Sequence, residues 1–181
     1  MSKLTLDQKT IESLFSDPKT DFLIPDYQRP YAWSEVECRT LWDDIFTFAF
    51  PENNSDNFKT TDEYYLGPIV TFKIKNGKQE IIDGQQRLTT LMLLLRAFYA
   101  RFGKMKDSNT QLVQERVEKC IWKKDELGAI IKTELKIDSE VAAEAQKDEF
   151  LNILKTGEAP DSMKSQYAIN YCFFQEKINV F

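Results

Sequence analysis

The chain has 181 residues, 42% of them hydrophobic and 13% aromatic, with a formal net charge of −5. That is enough apolar material for one folded domain with a core, while the acidic balance argues against binding duplex DNA through the whole surface and leaves only a local basic site. Histidine is absent, which excludes a Ser-His-Asp triad, a histidine-bearing nuclease centre and a classical zinc site within this chain; any metal must be a hard ion held by carboxylates, amides or substrate phosphates.

The opening MSKLTLDQKT is too polar for a signal peptide, and no apolar run nears membrane-spanning length. Cys38, Cys120 and Cys172 are widely spaced and form no CxxC pair, as expected for reduced core residues of a cytoplasmic protein. Ile11, Leu14 and Phe15 predict a short helix ending near Asp17-Pro18, and residues 22–24 a short strand stopped by Pro25. Residues 24–33, IPDYQRPYAW, have neither a helical nor an alternating period and read as an ordered loop. Its aromatics either pin it to the core and present Gln28 and Arg29 to a ligand, or merely close one end of the core.

Ser34 and Glu37 form a capping box, with Trp33 and Cys38 placed for a hydrophobic staple. Cys38, Leu41, Trp42, Ile45 and Ala49 share one face of the helix that follows, with Phe46 beside it. Asp43 and Asp44 fall away from that stripe, on a solvated face. Residues 51–62 are a polar loop. Residues 65–74 alternate, with Leu66, Val70, Phe72 and Ile74 on one side, so a strand is expected there; Gly67-Pro68 marks an edge or a bulge. Asn76-Gly77 suits a tight hairpin turn, and residues 78–82 return as a second strand.

Residues 81–95, IIDGQQRLTTLMLLL, are the centre of the chain. Leu88, Leu91, Met92, Leu95, Phe98 and Tyr99 recur at three and four residues, predicting a helix with one face on the core. Asp83 followed by Gln86 reads as a capping box with Asp83 as N-cap. The group DGQQR then sits where a strand hands over to a helix whose first-turn N–H groups are free to hold an anion. The alternative is a well-capped core helix with a polar first turn. After a polar break at 104–110, Val113, Val117, Cys120 and Ile121 predict a helix and residues 133–137 a short strand. Phe150, Leu151, Ile153 and Leu154 predict a further helix ended by Gly157. Beyond the loop at 158–162, Tyr167, Tyr171, Phe174, Ile178 and Phe181 mark an amphipathic last helix. The chain stops on an apolar residue of that stripe, so a longer parent is expected.

The pairing of IPDYQRPYAW with DGQQRLTT at 83–90, with Tyr65, Leu66 and Gly67 between them, closely resembles the N-terminal domain of GmrSD-type, modification-dependent restriction proteins. That bacterial family belongs to the ParB/sulfiredoxin-like superfamily. The resemblance implies an α+β, ParB/sulfiredoxin-like domain over residues 1–105, with a small mixed sheet and packed helices. A mainly helical extension over 106–181, truncated at its C-terminal end, would follow. It also implies nucleotide binding and hydrolysis at DGQQR, with a nucleoside triphosphate and Mg²⁺ as ligands. DNA would be a partner of the intact protein, and an HNH-type nuclease domain would follow on the same chain or a separate one. Asp83 and Arg87 are the catalytic candidates. Arg29, Gly84, Gln85, Gln86, Arg87, Thr89 and Thr90 are the candidates for holding phosphate, and Tyr27, Gln28, Tyr31 and Trp33 for contacting nucleic acid.

The residue chemistry fits phosphate. Gly84 allows close backbone approach, and Arg87 offers a bidentate, charge-assisted contact, with Arg29 closing from the loop. Asp83 either caps the helix or helps hold Mg²⁺ or orient water. The amides of Gln85 and Gln86 can orient water, a base edge or a phosphate; of Thr89 and Thr90, one faces the ligand and the other back-bonds to the helix. There is no Walker A sequence and no clear general base. Three functions are therefore expected in competition: a nucleotide-binding, hydrolysing sensor that licenses a nuclease; a DNA-binding or modified-base-sensing module without catalysis; and a structural interaction domain. No membrane partner is expected, and an oligomer is compatible with the sequence.

Overall fold

In the computed structural model, which describes residues 5–75, 77–141, 144–160 and 165–180, the apolar run before Pro25 forms the central strand β1, Phe22–Ile24, buried throughout. On one side β1 pairs in parallel with β3, Gln79–Asp83, and on the other with β6, Ile137–Ser139. Strand β2, Val70–Lys73, pairs antiparallel with β3, giving the sheet order β2-β3-β1-β6. A second, two-stranded sheet joins β4, Trp122–Lys124, to β5, Ile130–Leu135. With six α-helices among the described residues, the architecture is α+β with a small mixed sheet.

Helix α1, Ile11–Ser16, is N-capped by Thr10, and α2, Glu35–Ala49, by Ser34. The expected capping box of α2 is complete: Ser34 Oγ accepts from Val36 N at 3.2 Å, and Glu37 Oε2 accepts from Ser34 N at 2.7 Å. Helix α3, Gln85–Phe102, is the spine of the molecule. It packs against α4, Ser108–Ile121, against α5, Glu144–Thr156, and against α6, Gln166–Asn179. Leu88, Met92 and Leu93 are wholly buried, each worth about 1.5–3 kcal/mol on transfer from water.

Two expectations need correction, one for helix α3 and one for strand β2. Helix α3 buries more than one face: Thr89, Thr90, Leu93, Leu94 and Arg96 are buried along with Leu88, Leu91 and Met92 of the predicted stripe, whereas Leu95, Phe98 and Tyr99 are half-buried; helices crowd it on several sides. Strand β2 covers only part of 65–74 and both of its faces are open, with Val70 38% and Phe72 51% exposed. It is an edge strand, as Gly67-Pro68 suggested, but its alternation does not serve a core. Residues 106–181 hold α4, α5 and α6. They supply β4, β5 and the fourth strand of the main sheet, and one core cluster runs from Phe15 to Ile178 across the expected boundary at 105.

The hairpin turn falls partly outside the described residues, since Asn76 is not among them; Gly77 has the positive φ of 86° that such a turn needs. Phe181 and part of the loop at 158–162 also lie outside them. Among the described residues, no helix is long and apolar enough to cross a membrane.

Candidate functional site

Strands β1 and β3 are parallel neighbours, so their carboxyl ends adjoin. The loop IPDYQRPYAW leaves one and DGQQR leaves the other, which brings the two motifs together at the end of an open sheet where ligands commonly bind. Their union is built from neutral hydrogen bonds. Gln28 Nε2 donates to the carbonyls of Ile81 and Ile82 at 3.2 and 3.1 Å. Gln85 Nε2 donates to Arg29 O at 3.0 Å. Gln86 holds the loop twice, donating from Nε2 to Pro30 O at 3.2 Å and accepting from Ala32 N at 2.7 Å through Oε1.

Tyr31 secures the middle of this loop. Its ring is buried and stacks on Tyr167 of α6, with centroids 4.8 Å apart. Its hydroxyl lies 2.7 Å from Thr90 Oγ1 and accepts from Asn170 Nδ2 at 2.9 Å. Burial pushes the Tyr31 phenol well above the ordinary tyrosine range, so it stays protonated. Asn170 Nδ2 also donates to Trp33 O at 2.7 Å, and Thr90 Oγ1 bonds back to Gln86 O at 2.8 Å. Thr89 is buried as well, and no partner for its hydroxyl is seen among the described residues.

These positions divide the candidates. Gln85, Gln86, Tyr31 and Thr90 were expected near a ligand, but their polar groups are used inside the scaffold. Loop carbonyls and the Ala32 N–H, which no strand satisfies, find partners in the two glutamines. Trp33 contributes its backbone carbonyl to the same scaffold. By contrast, Arg29 and Tyr27 are exposed, the latter donating its hydroxyl to Glu80 at 2.6 Å while the residue remains 62% exposed.

Asp83 is not the N-cap. That position belongs to Gly84, whose φ of 89° is left-handed and which has no side-chain cap bond. Asp83 is the last residue of β3, opposite Val70. The predicted capping box fails because Gln86, its other half, turns inward to hold the loop. The carboxylate of Asp83 is exposed and enters no ion pair or hydrogen bond seen among the described residues.

The half-exposed Arg87 donates from Nη1 to Pro68 O at 2.8 Å. Neither Arg87 nor Arg29 meets a carboxylate among the described ion pairs. The first intrahelical bond beside them is Leu88 N to Gly84 O, at 2.9 Å, so the amides of Gln85, Gln86 and Arg87 precede the helical ladder. Unpaired guanidinium, first-turn amides and a glycine at the turn form a donor set suited to phosphate oxygens. For a divalent cation the fit is thinner. No group of three or more acidic, thiol or imidazole side chains comes together among the described residues, so Asp83 would supply one oxygen and phosphates or water the others.

A recess of about 210 Å³ lies elsewhere, lined by Phe22, Lys78, Lys123, Asp138 and Lys155 among others. It adjoins the starts of β1 and β6 rather than the strand ends that carry the motifs, and no candidate residue lines it. Two site residues were missed from sequence. Asn170 was detectable as a lone amide within the apolar face of α6. Pro68 acts through its carbonyl, which leaves no side-chain signal.

Comparison with known families finds that the one described as GmrSD restriction endonuclease, N-terminal domain, matches residues 11–180. The match takes in both motifs, the sheet and all six helices, and the chain belongs to this family. No curated protein matches it.

Proposed function

We propose that this member of the GmrSD N-terminal family binds the polyphosphate of a nucleoside triphosphate at the turn from β3 into α3, as the nucleotide-responsive part of a restriction or anti-phage defence protein. The observation that carries this reading is Arg87: its guanidinium is fixed through Nη1 by a carbonyl and is not neutralised by an acid among the described residues. The remaining N–H groups of its fork are suited to a planar pair of phosphate oxygens. The first-turn amides add donors along the helix dipole, and Arg29 supplies a second cation from the clasped loop. Mg²⁺, when bound, would offset phosphate charge, and Asp83 is the carboxylate for it or for orienting water. Gln85, Gln86 and Thr90 act one step back by fixing the loop that carries Arg29. Hydrolysis by this chain is expected to be slow, because none of these groups is a clear general base. Cleavage of DNA would fall to an HNH-type domain on the same or another chain, acting in the cytoplasm.

Calorimetric titration with ATP, GTP and CTP, with and without Mg²⁺, tests the reading against an Arg87→Ala variant with an unchanged melting profile. Saturable binding by the parent and its loss in the variant are expected. A well-folded parent that binds none of them overturns the proposal. A second reading draws on the open ring of Tyr27 and on Tyr65, which is 79% exposed: both offer faces on which a nucleic-acid base can stack. Salt-dependent binding of single-stranded DNA without nucleotide would favour it.

A further inference from the structure

The segment ahead of β2 supplies the carbonyl that fixes Arg87, and its backbone shapes how that arginine is held. We propose that Gly67, together with the carbonyl of Pro68, is a positioning residue that seats the Arg87 guanidinium in one orientation for an anionic ligand. A Cβ added at Gly67 would stand 2.9 Å from Arg87 Cζ, 2.9 Å from Nη1 and 3.1 Å from Nη2. Its three nearest atoms all belong to the guanidinium, so the planar group lies against bare backbone. Gly67 also has a positive φ of 94°, which turns the chain so that the next carbonyl meets Nη1 at 2.8 Å.

Gly84 completes the seat from the other side. A Cβ there would meet Pro68 O at 3.0 Å and Ile69 Cα at 3.2 Å. Two glycines far apart in sequence thus let residues 67–69 lie across the start of α3. The choice of anchor matters chemically. A carboxylate would fix the arginine and also neutralise it, competing with any anion. A carbonyl fixes one edge of the fork and leaves the full positive charge, with Nη2, Nε and the second N–H of Nη1 as the remaining donors. Holding a long side chain ready removes part of the ordering cost that a mobile arginine meets on binding.

The choice of ligand rests on the nucleotide reading, whereas the seat does not, and the experiment separates them. The parent, Gly67→Ala, Arg87→Ala and the double variant are titrated with ATP, and the Arg87 Nε–H resonance is followed by NMR in the first two. Gly67→Ala is expected to weaken ATP binding by about tenfold to a hundredfold, the loss of one charge-assisted hydrogen bond. It should add no further loss in the Arg87→Ala background, and the Nε–H resonance of the parent should shift and broaden. A purely structural glycine would leave that resonance in place, which overturns the seat. If none of the proteins binds ATP but the resonance responds, the seat stands and the nucleotide reading falls. Should Gly67→Ala fail to fold, Arg87→Lys decides: it keeps the charge but lacks the planar fork, so undiminished ATP affinity would overturn the proposal.

Discussion

Gln86 carries the clearest lesson at the scale of single residues. Its amide satisfies a carbonyl and an N–H of the loop at once, so Gln86→Leu keeps the volume and strands both groups. A loss of about 1–3 kcal/mol in urea unfolding is expected. Arg87→Ala, half-exposed and bonded to one carbonyl, should melt nearly as the parent does while losing phosphate affinity. The cysteines offer a pH test. Burial pushes the thiol of Cys38 from its ordinary value of 9.0 up to about 12, and that of Cys120 to about 11. These groups are raised in the folded state, so their contribution is complete below the ordinary value and is lost as pH rises through 11 to 12. Urea midpoints measured upward from pH 8.5 should therefore fall, and Cys38→Ala should lessen the fall. In the native protein at pH 8 a thiol reagent should label half-buried Cys172 before Cys38 or Cys120, and all three alike in urea.

Among elements, α2 was legible almost to the residue because its capping box and apolar stripe are local signals, both realised. Ser34→Ala should cost about 1 kcal/mol by denaturant titration. The start of α3 misled for an equally local reason. Asp83 and Gln86 have capping-box spacing, but Gln86 has a better use 54 residues away, at Ala32 N, and a long-range partner cannot be read from spacing. The pairing of the two motifs was legible; which of their side chains face inward was not. Strand β4 escaped notice because two of its three residues are lysines. Helix α5 ends as Gly157 foretold, with φ of 77°, and what lies against that glycine is informative. The buried guanidinium of Arg96 packs there, donating to Leu154 O at 2.9 Å. The end of a helix and the rings of Tyr99 and Trp122 surround this cation. Gly157→Ala should accordingly destabilise the fold by more than the ~1 kcal/mol of a backbone effect alone.

At the scale of the molecule, the main sheet draws its strands from both halves of the chain. Strand β6 lies beside β1, and α6 both packs along α3 and bonds to the loop through Asn170. A fragment ending at residue 105 should fail to show a cooperative thermal transition by circular dichroism, even though it contains both motifs. The neutral clasp around the loop has a practical meaning of its own. Ions in solution screen charges but scarcely touch amide-to-carbonyl bonds. Ionic strength is therefore a dial that turns down the pull of Arg29 and Arg87 on an anion while the framework holding them stays put. A salt series on one sample would report the electrostatic share of recognition uncontaminated by unfolding.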